Sequence, residues 1–243
     1  MTVKKNDLAE EAIQTNTVLL PGGNKQLEHL LDRNIFKGIR TLIIGSGCEL
    51  VAFRLGEYFP DINIIADDYD SVMHIKMKMK DDEKVKVKLM DYARTDFENE
   101  HFDLIYAQGS ISIPEKKNIT KELKRILKSQ GLFCAGEIVS LKEPVPGFVA
   151  DIWERSGLDP IPSSEIKKYY EAKGFEMLSE KDLSDTLKDF YEKIRNIVAK
   201  VSKDEKEADK KYFSRLKHES HAYLKLGGDK YIGFKSLIMR KLI

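Results

Sequence analysis

The chain has 243 residues, enough for one generous domain or a domain carrying a sub-domain, and 41 Lys and Arg against 40 Asp and Glu leave a formal net charge of +1. That balance gives no electrostatic footprint for nucleic acid or an anionic membrane, and the longest apolar runs are strand-length, too short to span a bilayer. The opening "MTVKKNDLAEEAIQ" lacks the apolar core of a signal peptide, and two cysteines, Cys48 and Cys134, make neither a disulfide framework nor a metal knuckle, so a cytoplasmic protein without a bound metal is expected.

In chain order, "LLPGGNKQLEHLL" (19–31) reads as a leading helix, followed by the strand-like "RTLIIG" (40–45), a helix over 49–59, "INIIAD" (62–67), a helix over 70–80, "VKVKLMD" (85–91) and "FDLIYAQ" (102–108). A helix over 118–129 places Ile119, Leu123, Ile126 and Leu127 on one face and closes at Gly131, before the strand "LFCAGEIV" (132–139). Residues 140–162 are punctuated by proline and glycine and read as an ordered loop over the sheet edge. A Ser-capped helix over 163–174 precedes a sixth strand, "FEMLSE". Two amphipathic helices fill 185–226, and "YIGFKSLIMRKL" (231–242) is a seventh strand.

Alternation of strand and helix implies a doubly wound, seven-stranded, mostly parallel α/β sheet with an added helical lid. The predicted divisions are lid helices over 1–36, an α/β core over 37–184, a helical lid insertion over 185–228 and a last core strand over 229–243. In such sheets ligands sit at the carboxyl ends of the strands, so the residues just after each strand are the candidates.

Three candidates stand out there. Gly45–Ser46–Gly47 turns the chain tightly after the first strand and lets a ligand approach the backbone, at the start of a helix whose amino end favours negative charge. Asp67 ends the second strand, placed to accept hydrogen bonds from ribose hydroxyls, and Asp91 ends the third, where it can accept from an adenine amino group.

With these residues the sequence resembles the class I S-adenosylmethionine-dependent methyltransferases of small-molecule type. "LIIGSGCE" resembles the family's first motif, "INIIADDYDSVM" its second, and "KLMDYARTDFENEHFDLIYAQGSI" its third and fourth. "LKRILKSQGLFCAGEI" resembles the segment leading into strand five, and the helices of 185–226 are similar to insertions of the cyclopropane-fatty-acid synthase and phosphoethanolamine methyltransferase-like group. The resemblance implies S-adenosyl-L-methionine as cofactor. It places Gly45, Ser46 and Gly47 at the methionine moiety, Asp67 at the ribose, Asp91 and Tyr92 at the adenine, and Tyr106, Ala107 and Gln108 beside the sulfonium and the substrate; Asp68 is a further cofactor-side candidate whose residue type and place also suit the cap of the next helix. It implies a small-molecule acceptor, N-, O- or C-methylated in line inside a lidded pocket, and leaves a homodimer open.

Two positions depart from the family pattern. Ile43 stands where family members carry an acid, and Glu49 where they carry a third glycine; Glu49 is a candidate for the cofactor's ammonium. A general base is needed only for a hydroxyl or protonated amine acceptor, and Glu137, His218, His221 and Tyr106 are the candidates. Two other readings stay open: a non-catalytic cofactor-binding sensor or partner subunit, favoured by Ile43 and Glu49, and a nicotinamide-dependent oxidoreductase, opposed by the missing third glycine and by Asp91.

Overall fold

The structure, a computed structural model, describes residues 16–33, 40–199 and 207–243, with side chains from residue 213 onward in the last of these. The expectations placed on 1–15, on 34–39 and on the 200–206 link lie outside the described residues. Among the described residues, eight strands form one sheet in the order β3-β2-β1-β4-β5-β8-β7, with a two-residue β6 at the end of β5. They are β1 (Arg40–Ile44), β2 (Asp61–Ala66), β3 (Val85–Leu89), β4 (Phe102–Gln108), β5 (Leu127–Ser140), β6 (Ile161–Pro162), β7 (Phe175–Asp182) and β8 (Ile232–Lys241). The first five are parallel, and β8 runs antiparallel between β5 and β7.

The helices are α1 (Gly23–Leu31), α2 (Glu49–Leu55), α3 (Tyr69–Lys78), α4 (Lys116–Ile126), α5 (Gly147–Ser156), α6 (Ile166–Glu171), α7 (Thr186–Val198) and α8 (Glu207–Lys225). Parity along the strands decides which layer each residue meets. Leu104 and Tyr106 of β4 and Leu132 and Cys134 of β5 pack with Leu27 and Leu30 of α1, Val51 and Leu55 of α2, and Val72 and Ile75 of α3. Ile105, Ala107, Phe133, Ala135 and Val139 face the other way, onto Ile119, Leu123 and Ile126 of α4 and Ile166 and Tyr170 of α6. Buried on both faces, these strands lack polar alternation and read as unbroken apolar runs.

Three sequence expectations need correction. Residues 140–162 hold helix α5 rather than loop alone: Pro146 caps its start, Gly157 closes it in the left-handed region at φ 63°, and its own Val149 and Ile152 form its buried face. Helix α4 stops at Ile126 and β5 begins at Leu127, so Gly131 lies within the strand and closes no helix. Helix α6 is capped at Glu165 without a side-chain bond, not by a serine.

α1 is fixed to the sheet by polar side chains. Gln26, fully buried, donates from Nε2 to the Ala107 carbonyl at 2.9 Å. His29 sits between the hydroxyls of Ser236 and Ser179, 2.8 Å from each ring nitrogen. Burial first, then the cations of Lys181 and Arg33, pull the His29 pKa down from 6.5 to about 4. The imidazole is therefore neutral in the fold, whereas the unfolded chain takes up its proton near 6.5. The stability held by this neutral histidine is complete above pH 6.5 and is lost as pH falls towards 4. Melting temperature should fall across that window, and His29→Gln should flatten that part of the curve; an identical slope in the variant would place the pH sensitivity elsewhere.

Candidate active site

The turn after β1 is built for close approach. Gly45 has φ 118° and Gly47 φ 71°, both in the region that favours glycine. The Gly45 amide donates to the Ile65 carbonyl at 3.0 Å, the Cys48 thiol to the Gly45 carbonyl at 3.2 Å, and the Ser110 hydroxyl to the Ile44 carbonyl at 2.7 Å. Gly45 itself is buried, while Ser46 and Gly47 are exposed and present their backbone outward.

Beside this turn, at the carboxyl ends of β2, β3 and β4, opens a cleft of about 470 Å³ lined by Asp67, Leu89, Met90, Asp91, Tyr92, Ile113, Glu115 and Ile119. Asp67 accepts a hydrogen bond from the Tyr92 hydroxyl at 3.2 Å. The Tyr92 phenol is buried, and that burial, with the Asp67 charge, pushes its pKa upward so that it stays a donor. Asp91 accepts from the Ala93 amide at 2.8 Å, which fixes the turn after β3. The cleft thus combines apolar walls from Leu89, Met90, Ile113 and Ile119 with the carboxylates of Asp67, Asp91 and Glu115.

The segment before α1 covers the turn and the end of β4. A side chain added at Gly47 would meet Leu20 at 3.4 Å, and one at Gly109 would meet Pro21 at 3.5 Å. Gln108 of β4 donates from Nε2 to the carbonyls of Pro21 (2.8 Å) and Gly23 (2.9 Å), and its Oε1 accepts from the Tyr106 hydroxyl at 2.6 Å.

Two other candidates hold helices: Asp68 in the cap role its position suited, and Glu49 in a seam rather than at a cofactor's ammonium. Asp68 is the cap of α3, accepting from the Ser71 amide at 2.8 Å. Glu49 is 2% exposed, and its Oε1 lies 3.7 Å from Nε2 of His74 on α3, so its side chain occupies the α2–α3 seam. Burial raises its carboxyl pKa, as expected for an acid held in an apolar wall.

The four candidate bases stand in three separate environments. Tyr106 is fully buried, its hydroxyl taken by Gln108 and its pKa pushed well up by burial, so it is no base near neutrality. Glu137, also fully buried, projects to the α4–α6 face of β5 and accepts from Ser112, Lys116 and Tyr170. His218 on α8 lies 3.3 Å from Asp151 of α5, and His221 is exposed. Sequence reasoning missed Ile113, Glu115 and Ile119, although the first two follow β4 at its carboxyl end, where the strand-end rule points. Leu20, Pro21 and Gln26 lie in the leading segment 19–31 that the sequence singles out, but their individual contacts are with residues distant in sequence.

This topology, with its glycine turn and two strand-end acids, is that of a Rossmann-like, mostly parallel α/β domain. Residues 42–135 match the family described as "Methyltransferase domain". The chain is similar to the sterol 24-C-methyltransferase of Debaryomyces hansenii, 27% identical over 173 residues that make up 65% of this chain and 46% of that relative, so the match spans about half of the curated protein's length. In fold it is similar to Haemonchus contortus phosphoethanolamine N-methyltransferase 2, solved with S-adenosyl-L-methionine (TM-score 0.71, 14% identity, 90% of this chain and 53% of that one). It is similar, too, to the 4+2 cyclase SpnF (TM-score 0.72, 20% identity, 90% and 80% covered). The second neighbour is a reminder that one fold hosts more than one chemistry.

Proposed function

We propose that the protein is an S-adenosylmethionine-dependent methyltransferase acting on a small-molecule acceptor, working in the cytoplasm. The observation that carries this is the pairing of the exposed Ser46–Gly47 backbone with the Asp67–Asp91 cleft at consecutive strand ends, within the segment that matches the methyltransferase family. When bound, the cofactor supplies a methyl group on a positively charged sulfur that leaves as a neutral thioether.

The protein's own share is placement. Asp67 and Asp91 offer carboxylates to hydroxyl and amino groups of a nucleoside, and the Gly45–Gly47 turn keeps side chains away from an approaching ligand. The Leu20–Gly23 cover, pinned by Gln108, shields the end of β4 from water. Alignment of donor and acceptor in such a site supplies about 7–11 kcal/mol of barrier lowering. Since Tyr106 and Glu137 are both engaged in buried hydrogen bonds, the reading favours an acceptor that is already nucleophilic and needs no strong base from these two residues. In this reading 16–33, α7 and α8 form the lid over the acceptor.

A non-catalytic binder is the second reading, favoured by Ile43, fully buried where an acid would otherwise reach the cofactor. Calorimetric titration with S-adenosylmethionine, S-adenosylhomocysteine and NAD separates the possibilities. Binding of the first two and not of NAD is expected. Binding of NAD alone overturns the reading, and binding of the first two by a chain that transfers no methyl across a panel of small acceptors favours the binder.

A further inference from the structure

A buried polar cluster lies directly behind the nucleoside cleft. Glu137 shares its face of β5 with Phe133, Ala135 and Val139, and has no exposed surface. Its Oε2 accepts from the Ser112 hydroxyl at 2.5 Å and from Lys116 Nζ at 3.0 Å, while its Oε1 accepts from the Tyr170 hydroxyl of α6. Ser112 is tied again: its hydroxyl accepts from the Ile138 amide at 2.9 Å, and its carbonyl accepts from the Asp159 amide at 2.8 Å. Lys116, the first residue of α4, is 4% exposed.

The chain between these two anchors is Ile113–Pro114–Glu115, and Ile113 and Glu115 line the cleft opposite Met90 and Asp91. Taking a carboxylate and an ammonium out of water costs several kcal/mol per ion, and a well-packed apolar set often gives equal or greater stability. Stability alone therefore does not account for an ion pair at this place. What the pair does give is a fixed position for both ends of a five-residue wall, attached to the buried stretch 131–140 of β5. Tyr170 belongs to α6, outside the 112–116 segment, so its bond can be cut without touching the wall.

We propose that Glu137 is a positioning residue for the nucleoside part of the cofactor: through Ser112 and Lys116 it holds residues 112–116 against the cleft. The inference deepens the methyltransferase reading and rests on it. It also replaces the general-base role expected from the sequence, because Glu137 touches neither the cleft nor the glycine turn.

The test compares wild type, Ser112→Ala, the neutral double variant Lys116→Met with Glu137→Gln, and Tyr170→Phe. Each is titrated calorimetrically with S-adenosylhomocysteine, melted, and followed by hydrogen exchange at the amides of 110–117. Ser112→Ala and the double variant should weaken binding about tenfold, the loss of one to two buried hydrogen bonds' worth of order. Both should speed exchange in 110–117 while β5 and β8 amides exchange as in wild type. Tyr170→Phe should melt earlier yet bind within about twofold of wild type, since its bond comes from α6. Unchanged affinity and exchange in the first two variants overturn the proposal, as does a Tyr170→Phe variant that loses as much affinity as they do. No binding by wild type overturns the methyltransferase reading itself, and this role with it.

Discussion

Replacing Asp67 and Asp91 together by alanine is expected to weaken S-adenosylmethionine binding about 100- to 10,000-fold while leaving the sheet folded. Each carboxylate accepts hydrogen bonds as an ion, and such bonds contribute about 1.5–3 kcal/mol apiece, so two of them account for that range. The folded chain uses both acids lightly. Asp67 accepts the Tyr92 hydroxyl, and Asp91 fixes a local turn through the Ala93 amide. Both are exposed, and losing a local contact of this kind costs about 1 kcal/mol. Calorimetry and a thermal melt on the same sample separate the two effects. An affinity equal to that of wild type would remove the nucleoside from this cleft.

Gly45→Ala should be the most damaging single change in the turn. The residue sits at φ 118°, where a side chain is strained, and an added Cβ would stand 2.7 Å from the Ser110 Cβ. Ser110 cannot easily retreat, because its hydroxyl holds the Ile44 carbonyl at 2.7 Å. Strain and overpacking together come to about 3 kcal/mol, or about 6–12 °C of melting temperature for a chain of this size. Gly47→Ala is the control: at φ 71° its nearest new neighbour is Leu20 at 3.4 Å, ordinary contact, so about 1 kcal/mol is lost. Equal melting temperatures for the two variants would show that the Ser110 contact yields freely.

Which parts could be read from the chain follows from where each signal is stored. "RTLII", "INIIA" and "FDLIYAQ" declare themselves because strands buried on both faces are continuous apolar runs. That continuity also hides orientation. With Phe133, Cys134, Ala135 and Gly136 all compatible with burial, nothing local says that Glu137 turns to the α4–α6 side. α5 was obscured by Pro144, Pro146 and Gly147, which read as loop punctuation although Pro146 and Gly157 are also a helix's start and stop signals. Glu49 and His74, or His218 and Asp151, meet only once separate helices pack, so their pairing is information of the tertiary structure. Gly45, Asp67 and Asp91, by contrast, are specified by strand ends, and strand ends were legible.

The placement of β8 between β5 and β7 has a consequence for the order of synthesis. The parallel strands β1 to β5 are complete once residue 140 has emerged, and β1, β2 and β4 then have both their neighbours. β7 is finished at residue 182 but pairs only with β8, so it must wait while some fifty further residues, including α7 and α8, are made. Throughout that interval the long inner edge of β5 offers unpaired backbone groups that the parallel half cannot cover itself. Until β8 is made, the parallel half of the sheet keeps this open border, so folding helpers would have most to protect between the synthesis of residues 140 and 241.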